Sequence, residues 1–202
     1  STCDETAAAI VNDKRKVLSD VVASQYDVHT DFNGVVPELA ARAHVERIIP
    51  VIKKAIQEAN CKTTDISRVA VSVKPGLMPS LLIGSTAAKT LAWLLKKPLI
   101  PIDHVEAHIA AATLESEPIK LPAIGVVISG GHSHIFKLDK NMPMICIGKT
   151  IDDAVGEAFD KAATMLGLPW PGGPSIEKTA QDGNPDAYKF PIASLKNPYD
   201  FS

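Results

Sequence analysis

Four short segments hold residues able to do chemistry. The first is His104-Val105-Glu106-Ala107-His108. Histidines four apart on a helix leave from one face, so His104 and His108 can reach one ion. Neutral imidazole suits Zn2+ or Fe2+. Glu106 lies about 200° around the helical wheel from His104 and makes a poor third ligand. In the zincin pattern H-E-x-x-H the Glu follows the first His directly, so this order argues against a metalloprotease. An isolated pair is more often a solvated helix face than a metal site, and a third ligand must come from elsewhere. The second segment is Ile128-Ser129-Gly130-Gly131-His132, where adjacent glycines let successive backbone N–H groups face one anion. A plain hairpin turn is the alternative; Ser129 and His132, both able to donate to a phosphate or carboxylate, favour the functional reading. The third, Ser1-Thr2-Cys3-Asp4-Glu5-Thr6, places hydroxyls and acids in a turn that could bind phosphate or Mg2+ or act as a base, or that is merely polar. The fourth runs Gly156-Glu157-Ala158-Phe159-Asp160-Lys161, followed by Gly172-Gly173-Pro174-Ser175-Ile176-Glu177. Asp160 falls mid-helix, where Asp has low propensity, and can accept from a ribose hydroxyl; a solvated face is the alternative.

Those residues need elements to position them. Ala7–Val11 and Val17–Ser24 are apolar runs joined by Asn12-Asp13-Lys14-Arg15, a hairpin signal. Pro37 opens a helix to about Asn60 on a 3.6 period. Val69–Val73 is a strand, Ser80–Lys96 a helix, and Leu99–Ile102 a strand whose Pro101 suggests an edge. Asp103 can cap a helix running to about Glu115. Ile124–Ile128 is wholly apolar and reads as a buried strand, with Ser133–Leu138 and Met144–Ile147 as antiparallel partners. Asp152 is expected to cap a helix from Ala154 to Leu166. Pro169–Pro174 is a loop, and a short helix follows to Gln181. The order is α/β with mixed sheets, restarting near Pro122. The turns before Ala7 and at Ser129–Ser133 hint at a duplicated fold. Trp93 and Trp170 are expected to pack; His29 and His44 show no partners in the sequence.

Composition narrows the classes. The 202 residues are 46% hydrophobic and 22% charged, which excludes disorder and allows one large domain or two small ones. With 21 Lys and Arg against 23 Asp and Glu, the net charge of −2 is not that of a dedicated nucleic-acid or membrane-surface protein. A nucleic acid would need a local patch, for which Lys14, Arg15, Lys16, Arg42, Arg47, Lys53 and Lys54 are candidates. Cys3, Cys61 and Cys146 are too scattered for a disulfide framework and fit a reducing compartment. No apolar run reaches about 18 residues, and no signal-peptide pattern opens the sequence.

Seven motifs occur in one order: Ser1–Thr6; Gly34-Val35-Val36-Pro37-Glu38-Leu39-Ala40 with Arg42-Ala43-His44; Lys74-Pro75-Gly76-Leu77; His104–His108; Ile128–His132; Gly156–Lys161; and Pro171–Lys178. Together they resemble the TsaD family of tRNA threonylcarbamoyladenosine transferases, once described as O-sialoglycoprotein endopeptidases. The resemblance covers essentially the whole sequence. It implies the actin-like ATPase (ASKHA: actin, sugar kinase, Hsp70) fold, with residues 1–118 as the N-terminal lobe carrying the histidine motif. Residues 119–202 would be an incomplete second lobe with the Ser-Gly-Gly-His loop and the helical nucleotide-site segment. It further implies transfer of threonylcarbamoyl from threonylcarbamoyl-AMP to N6 of adenosine 37, next to the anticodon, in tRNAs reading codons that begin with adenine, with release of AMP.

By motif, His104 and His108 correspond to ligands of one divalent metal ion per subunit, Fe2+ or Zn2+, with Mg2+ a further candidate alongside the nucleotide. Val127, Ile128, Ser129, Gly130 and Gly131, with His132, correspond to the loop cradling substrate. Asp160 and Gly173 correspond to nucleotide-site residues, and Glu177 lies on the same segment. Asp4 corresponds to an acid assisting deprotonation of the adenine amine. The resemblance also implies accessory subunits in bacterial-type members or a homodimer in organellar ones. It implies no membrane, and a cytoplasmic location or a mitochondrial or plastid one. Family members run further, with an aspartate as third metal ligand and a nucleotide-contacting asparagine after the position of Ser202. A piece of a longer chain is therefore expected. The rival enzyme reading is an ASKHA-fold carbamoyltransferase acting on a small hydroxyl compound; a nucleotide-switched binding module is the non-enzymatic one.

Overall fold

The computed structural model describes residues 1–32, 34–114, 119–140 and 142–202. The chain divides into two compact units, Ser1–Pro118 and Ile119–Ser202.

The first unit opens with an antiparallel hairpin of β1 (Glu5–Val11) and β2 (Val17–Ser24), in register from Glu5↔Ser24 to Ile10↔Ser19. Asn12 makes the turn: its Oδ1 accepts from the backbone N–H of Lys14 and of Lys16, both at 3.0 Å. A side chain that bonds its own backbone in this way is what favours Asn in turns. A four-residue helix α1 (Tyr26–His29), not expected from sequence, leads to α2 (Pro37–Glu58). Pro37 sits in the first turn, where its missing N–H costs nothing. The helix continues through Pro50, which faces solvent, so water can serve the carbonyl left without an N–H partner. Val51 and Ala55 of α2 close over the hairpin at Val21, Ala8, Ile10 and Ala23.

Strand β3 (Val69–Lys74), helix α3 (Met78–Leu95) and strand β4 (Leu99–Asp103) form a parallel crossover with Val69 opposite Leu99. Ala88 and Ala92 of α3 pack on Val69, Val71 and Leu99. Small residues there let the helix lie close to the sheet. Pro101 is accepted in a sheet of only two strands, as expected of an edge. The helix α3 begins at Met78 rather than Ser80, because Pro79 fits the first turn. Trp93, expected to pack, is instead 78% exposed. Its position on α3 is rotated away from Ala88 and Ala92, the residues that touch the sheet.

Helix α4 (His104–Ala111) follows β4 without a loop. It ends at Ala111, short of Glu115, which lies outside the described residues.

The second unit is an antiparallel sheet of β5 (Ala123–Ile128), β6 (Ser133–Asp139) and β7 (Met142–Lys149), with helices α5 (Val155–Met165) and α6 (Gly172–Ala180). The wholly apolar β5 is not buried: Val127 is covered, but Ile124, Val126 and Ile128 are exposed. A strand's side chains alternate between faces, and only one face of β5 is covered. Asp152 does not cap α5 either; the cap position is Ala154 and makes no side-chain bond. The buried Ser133 of β6 does that work, its Oγ accepting from Val155 N at 3.0 Å while its carbonyl accepts from Thr150 N at 3.0 Å. Helix α6 starts at Gly172, within the expected loop, with Pro174 in its first turn. The tail from Asn184 has no helix or strand, yet it closes on β7: Phe201 N donates to Lys149 O at 3.3 Å and Ile151 N to Phe201 O at 3.0 Å. Tyr199 backbone lies where a side chain at position 148 would be, which explains Gly148. Among the described residues no helix is long and apolar enough to cross a membrane.

Replacing Ser133 with Ala leaves the Val155 N–H buried without its acceptor and should cost about 1–3 kcal/mol. Urea unfolding followed by Trp170 fluorescence, in a Trp93→Phe background so that only the second unit reports, is expected to show the lower midpoint.

Candidate active site

In the first unit the histidine pair is set by β4 and α4. Asp103 is the cap, as expected: its Oδ1 accepts from Val105 N at 2.9 Å and Glu106 N at 3.2 Å. Its Oδ2 lies 3.5 Å from Lys74 Nζ, on the neighbouring strand. The carboxylate thus fixes the first turn of α4, where His104 is the first residue. One turn on, His108 brings its Nε2 to 3.3 Å from His104 Nε2, with ring centroids 4.6 Å apart. Two nitrogens bound tetrahedrally to one zinc at about 2.0–2.1 Å lie about 3.3–3.4 Å apart. The pair therefore fits two positions of such a site. Among the described residues no group of three His, Cys, Asp or Glu that could hold a metal ion stands together.

The Ser1–Asp4 turn reaches the same place. Thr2 O accepts from Leu77 N at 2.8 Å, and Thr2 Oγ1 is 3.5 Å from His104 Nε2. A Cβ at Gly76 would stand 2.5 Å from Thr2 O, so the Lys74-Pro75-Gly76 loop needs glycine for this approach. The Cys3 carbonyl accepts twice, from His44 Nε2 at 2.9 Å and Ser80 Oγ at 3.1 Å. The Cys3 thiol, hydrogen-bonded to Asp4, is pushed up to about 12 by burial and by the Asp4 and Glu5 carboxylates. That keeps the thiol protonated and makes it a poor nucleophile while the turn is closed. Asp4 therefore sits one residue from the doubly held carbonyl, in the turn that touches His104.

His44 and His29 do have partners, contrary to expectation, and both are fully buried. Thr6 Oγ1 is 2.7 Å from His44 Nδ1, and Gln25 Nε2 is 3.4 Å from the same atom and 3.3 Å from Ala40 O. His29 Nε2 is 3.2 Å from Gln25 Oε1, and Val36 N donates to His29 Nδ1 at 3.3 Å. Only one proton arrangement satisfies all of these. Facing a carbonyl, His44 Nε2 carries the hydrogen, so Nδ1 accepts. Val36 N likewise makes His29 Nδ1 an acceptor and Nε2 a donor to Gln25. Burial lowers the His44 pKa below its usual 6.5 and keeps it neutral.

In the second unit Ser129–His132 forms the tight turn between β5 and β6. Ser129 N donates to His132 O at 2.9 Å, and His132 N to Ser129 Oγ at 3.0 Å. Gly130 and Gly131 have no left-handed φ, and a Cβ on either would meet nothing within 4 Å. Among the described residues nothing fills the places their side chains would take. Val127 is buried beneath the turn while Ile128 is exposed. Gly156 N, at the start of α5, donates to Ser129 O at 3.2 Å, and a Cβ on Gly156 would stand 2.7 Å from Gly130 Cα. One turn along α5, Asp160 accepts from Gly172 N at 2.6 Å (Oδ1) and from Trp170 Nε1 at 3.2 Å (Oδ2). Asp160 is thus not on a solvated face; it fastens the start of α6. Residues 156 and 160 share one face of α5. The structure thereby brings the Gly130 turn and the Gly172-Gly173 start of α6 to the same helix. Gly173 is open, and Glu177 is exposed one turn into α6.

The chain is thus an α/β protein that pairs two histidines in its first unit and gathers glycine turns on one helix in its second. Comparison with known proteins makes this specific. A family model described as TsaD, tRNA N6-adenosine threonylcarbamoyltransferase, matches residues 16–202, and the chain belongs to that family. The tRNA N6-adenosine threonylcarbamoyltransferase of Moorella thermoacetica is 49% identical over 203 residues, covering 100% of this chain and 59% of the relative. That of Protochlamydia amoebophila is 50% identical over 204 residues, covering 100% and 60%. The chain thus spans about three fifths of the length of these curated relatives. Among solved structures, YeaZ from Pseudomonas aeruginosa aligns at a TM-score of 0.42 and 13% identity over 71% of this chain and 63% of that one, too loosely to carry an argument.

Because His44 resists protonation when folded, the unfolded chain takes up its proton first. The stabilisation is complete above about pH 6.5 and is lost as the pH falls below it. Urea midpoints measured by far-UV circular dichroism should fall between pH 7 and pH 5, with a shallower fall in His44→Gln.

Proposed function

We propose that this chain supplies the metal-binding and donor-binding parts of an enzyme that transfers threonylcarbamoyl from threonylcarbamoyl-AMP to N6 of adenosine 37 in tRNA. The observation that carries this is the 49% identity, over the whole chain, to a protein named for that activity. The same names favour a tRNA acceptor over a small hydroxyl compound. In this reading the two units are the N-terminal lobe and the beginning of the second lobe of an actin-like ATPase fold.

The chemistry is an attack by the exocyclic amine on the carbamoyl carbon. A new N–C bond forms, the C–O bond to the AMP phosphate breaks, and AMP leaves with the electron pair. The donor is a mixed anhydride with a good leaving group, while the amine is a weak nucleophile. The protein must therefore chiefly align the reactants and stabilise developing charge. His104 and His108 would hold a divalent ion, Fe2+ or Zn2+, which would supply Lewis-acid chemistry toward the donor. Beyond Val127 and Ile128 at the end of β5 and Ser129, whose N–H closes the turn, Gly130 and Gly131 offer their backbone N–H groups to the phosphate, and the His132 side chain adds a donor at the edge. That role gives Gly130 and Gly131 the reason that this chain's own packing does not. Asp160 shapes the Gly172-Gly173 loop for the nucleotide, with Glu177 beside it, and Mg2+ can accompany the phosphate. Asp4 takes the proton released from N6.

The acceptor tRNA, accessory subunits or a second copy, and a cytoplasmic location complete the reading. Part of the expected basic patch is committed elsewhere: Arg47 Nη1 donates to Ser24 O at 2.5 Å, and Lys54 pairs with Glu58 at 3.6 Å. Lys14, Arg15 and Lys16 on the β1–β2 turn stay exposed and are the better candidates for backbone phosphates.

The test is transfer to unmodified tRNA from threonylcarbamoyl-AMP by the protein at the full length of its family, read by nucleoside mass spectrometry. Modified adenosine is expected, with loss of about 100-fold or more in His104→Ala; no product with metal and partners supplied would overturn the reading. The 202 residues alone, with two ligands, are expected to bind Zn2+ weakly in calorimetry and to be inactive.

A further inference from the structure

We propose that His44 is a positioning residue for the Thr2–Asp4 turn. It holds the Cys3 carbonyl in place, so that Thr2 meets His104 and Asp4 is presented to the acceptor. The role of Asp4 rests on the function proposed above; the placing of the turn does not.

The geometry has a direction. Val36 N, at the residue before α2, donates to His29; His29 donates to Gln25; Gln25 and Thr6 donate to His44; and His44 donates to Cys3 O. Each link fixes the proton on the next, and the series ends on a backbone carbonyl rather than on solvent. Ser80 adds a second donor to that carbonyl from α3. The acceptor lies between the residue that touches His104 and the acid in the next position. A carbonyl gripped by two donors from two helices leaves the turn one place to stand. Four of these groups, Gln25, His29, His44 and Thr6, are fully buried, which is costly unless every bond is made. The hairpin and α2 already pack through Val21, Val51 and Ala55, so the polar series sits beside the apolar contact and acts on the turn.

Cys3 reports on the turn directly. In this 202-residue chain, alkylation of each cysteine by iodoacetamide at pH 8.5 is followed by mass spectrometry. Cys61, in the same unit, monitors global loosening, and exposed Cys146 monitors reagent. In His44→Phe, Cys3 is expected to react about tenfold faster, as when a buried hydrogen bond gating a local opening is lost. Cys61 is expected to keep its rate. His44→Gln, which keeps an N–H donor, should restore most of the protection, and Ser80→Ala should give a smaller increase. An unchanged Cys3 rate, or Cys3 and Cys61 rising together, would overturn the placing role. The second arm uses the transfer assay above: the double variant His44→Phe, Asp4→Asn should be about as slow as Asp4→Asn alone. Losses that multiply would show that His44 does not act through Asp4. If wild type transfers nothing, the function fails while the alkylation result still decides the placing of the turn.

Discussion

The Cys3 carbonyl is the contact on which the first unit's site depends. A buried carbonyl must be paired, and this one is paired twice, by an imidazole from α2 and a hydroxyl from α3. The flanking bond from Leu77 N to Thr2 O ties the same turn to the loop after β3. Three elements thus agree on the position of two successive peptide groups. The turn is in turn what lies against His104, whose own place is set by the Asp103 cap. The first turn of α4, and with it the start of the histidine pair, is held by the Asp103 carboxylate and by the Thr2 contact.

The second unit solves a related problem with glycine. Gly156 lets α5 start against the Ser129–His132 turn, and Gly172 lets the chain pass close to Phe159 and Asp160. Where these glycines are forced by contacts within the chain, Gly130, Gly131 and Gly173 are not. That division separates glycines needed for the fold from those available to a ligand. Asp160 is needed for the fold: its carboxylate holds the start of α6, so its loss would move Gly172 and Gly173 as well as remove a charge.

Much of this was legible in the sequence. The His104–His108 spacing, the Asp103 cap and the Asn12 turn are local patterns present as read, and the order of elements holds apart from the short α1. What was not legible depends on pairing between distant segments. Thr6 and His44 are 38 residues apart and meet only once β1 lies under α2. Gln25 and His29 do share the four-residue spacing of a helix turn, but the turn is too short to announce itself. Likewise the apolar run of β5 signals a strand without saying how many of its faces are covered. The cap of α5 comes from Ser133, across a hairpin, whereas Asp152 nearby only looks the part.

The uncovered face of β5 has a practical side. The strand lies at the edge of its sheet, with Ile124, Val126 and Ile128 outward and no charge from Ala123 to Ile128. Short uncharged β-branched segments with an open edge are templates for cross-β stacking. Lys120 and Pro122, just before the strand, are gatekeepers of the kind that interrupt such stacking at one end. The other end runs directly into the Gly130-Gly131 turn, which has no such guard. With a guard at one end only, the strand depends on having its outward face covered, and the colloidal stability of this unit rests on that cover.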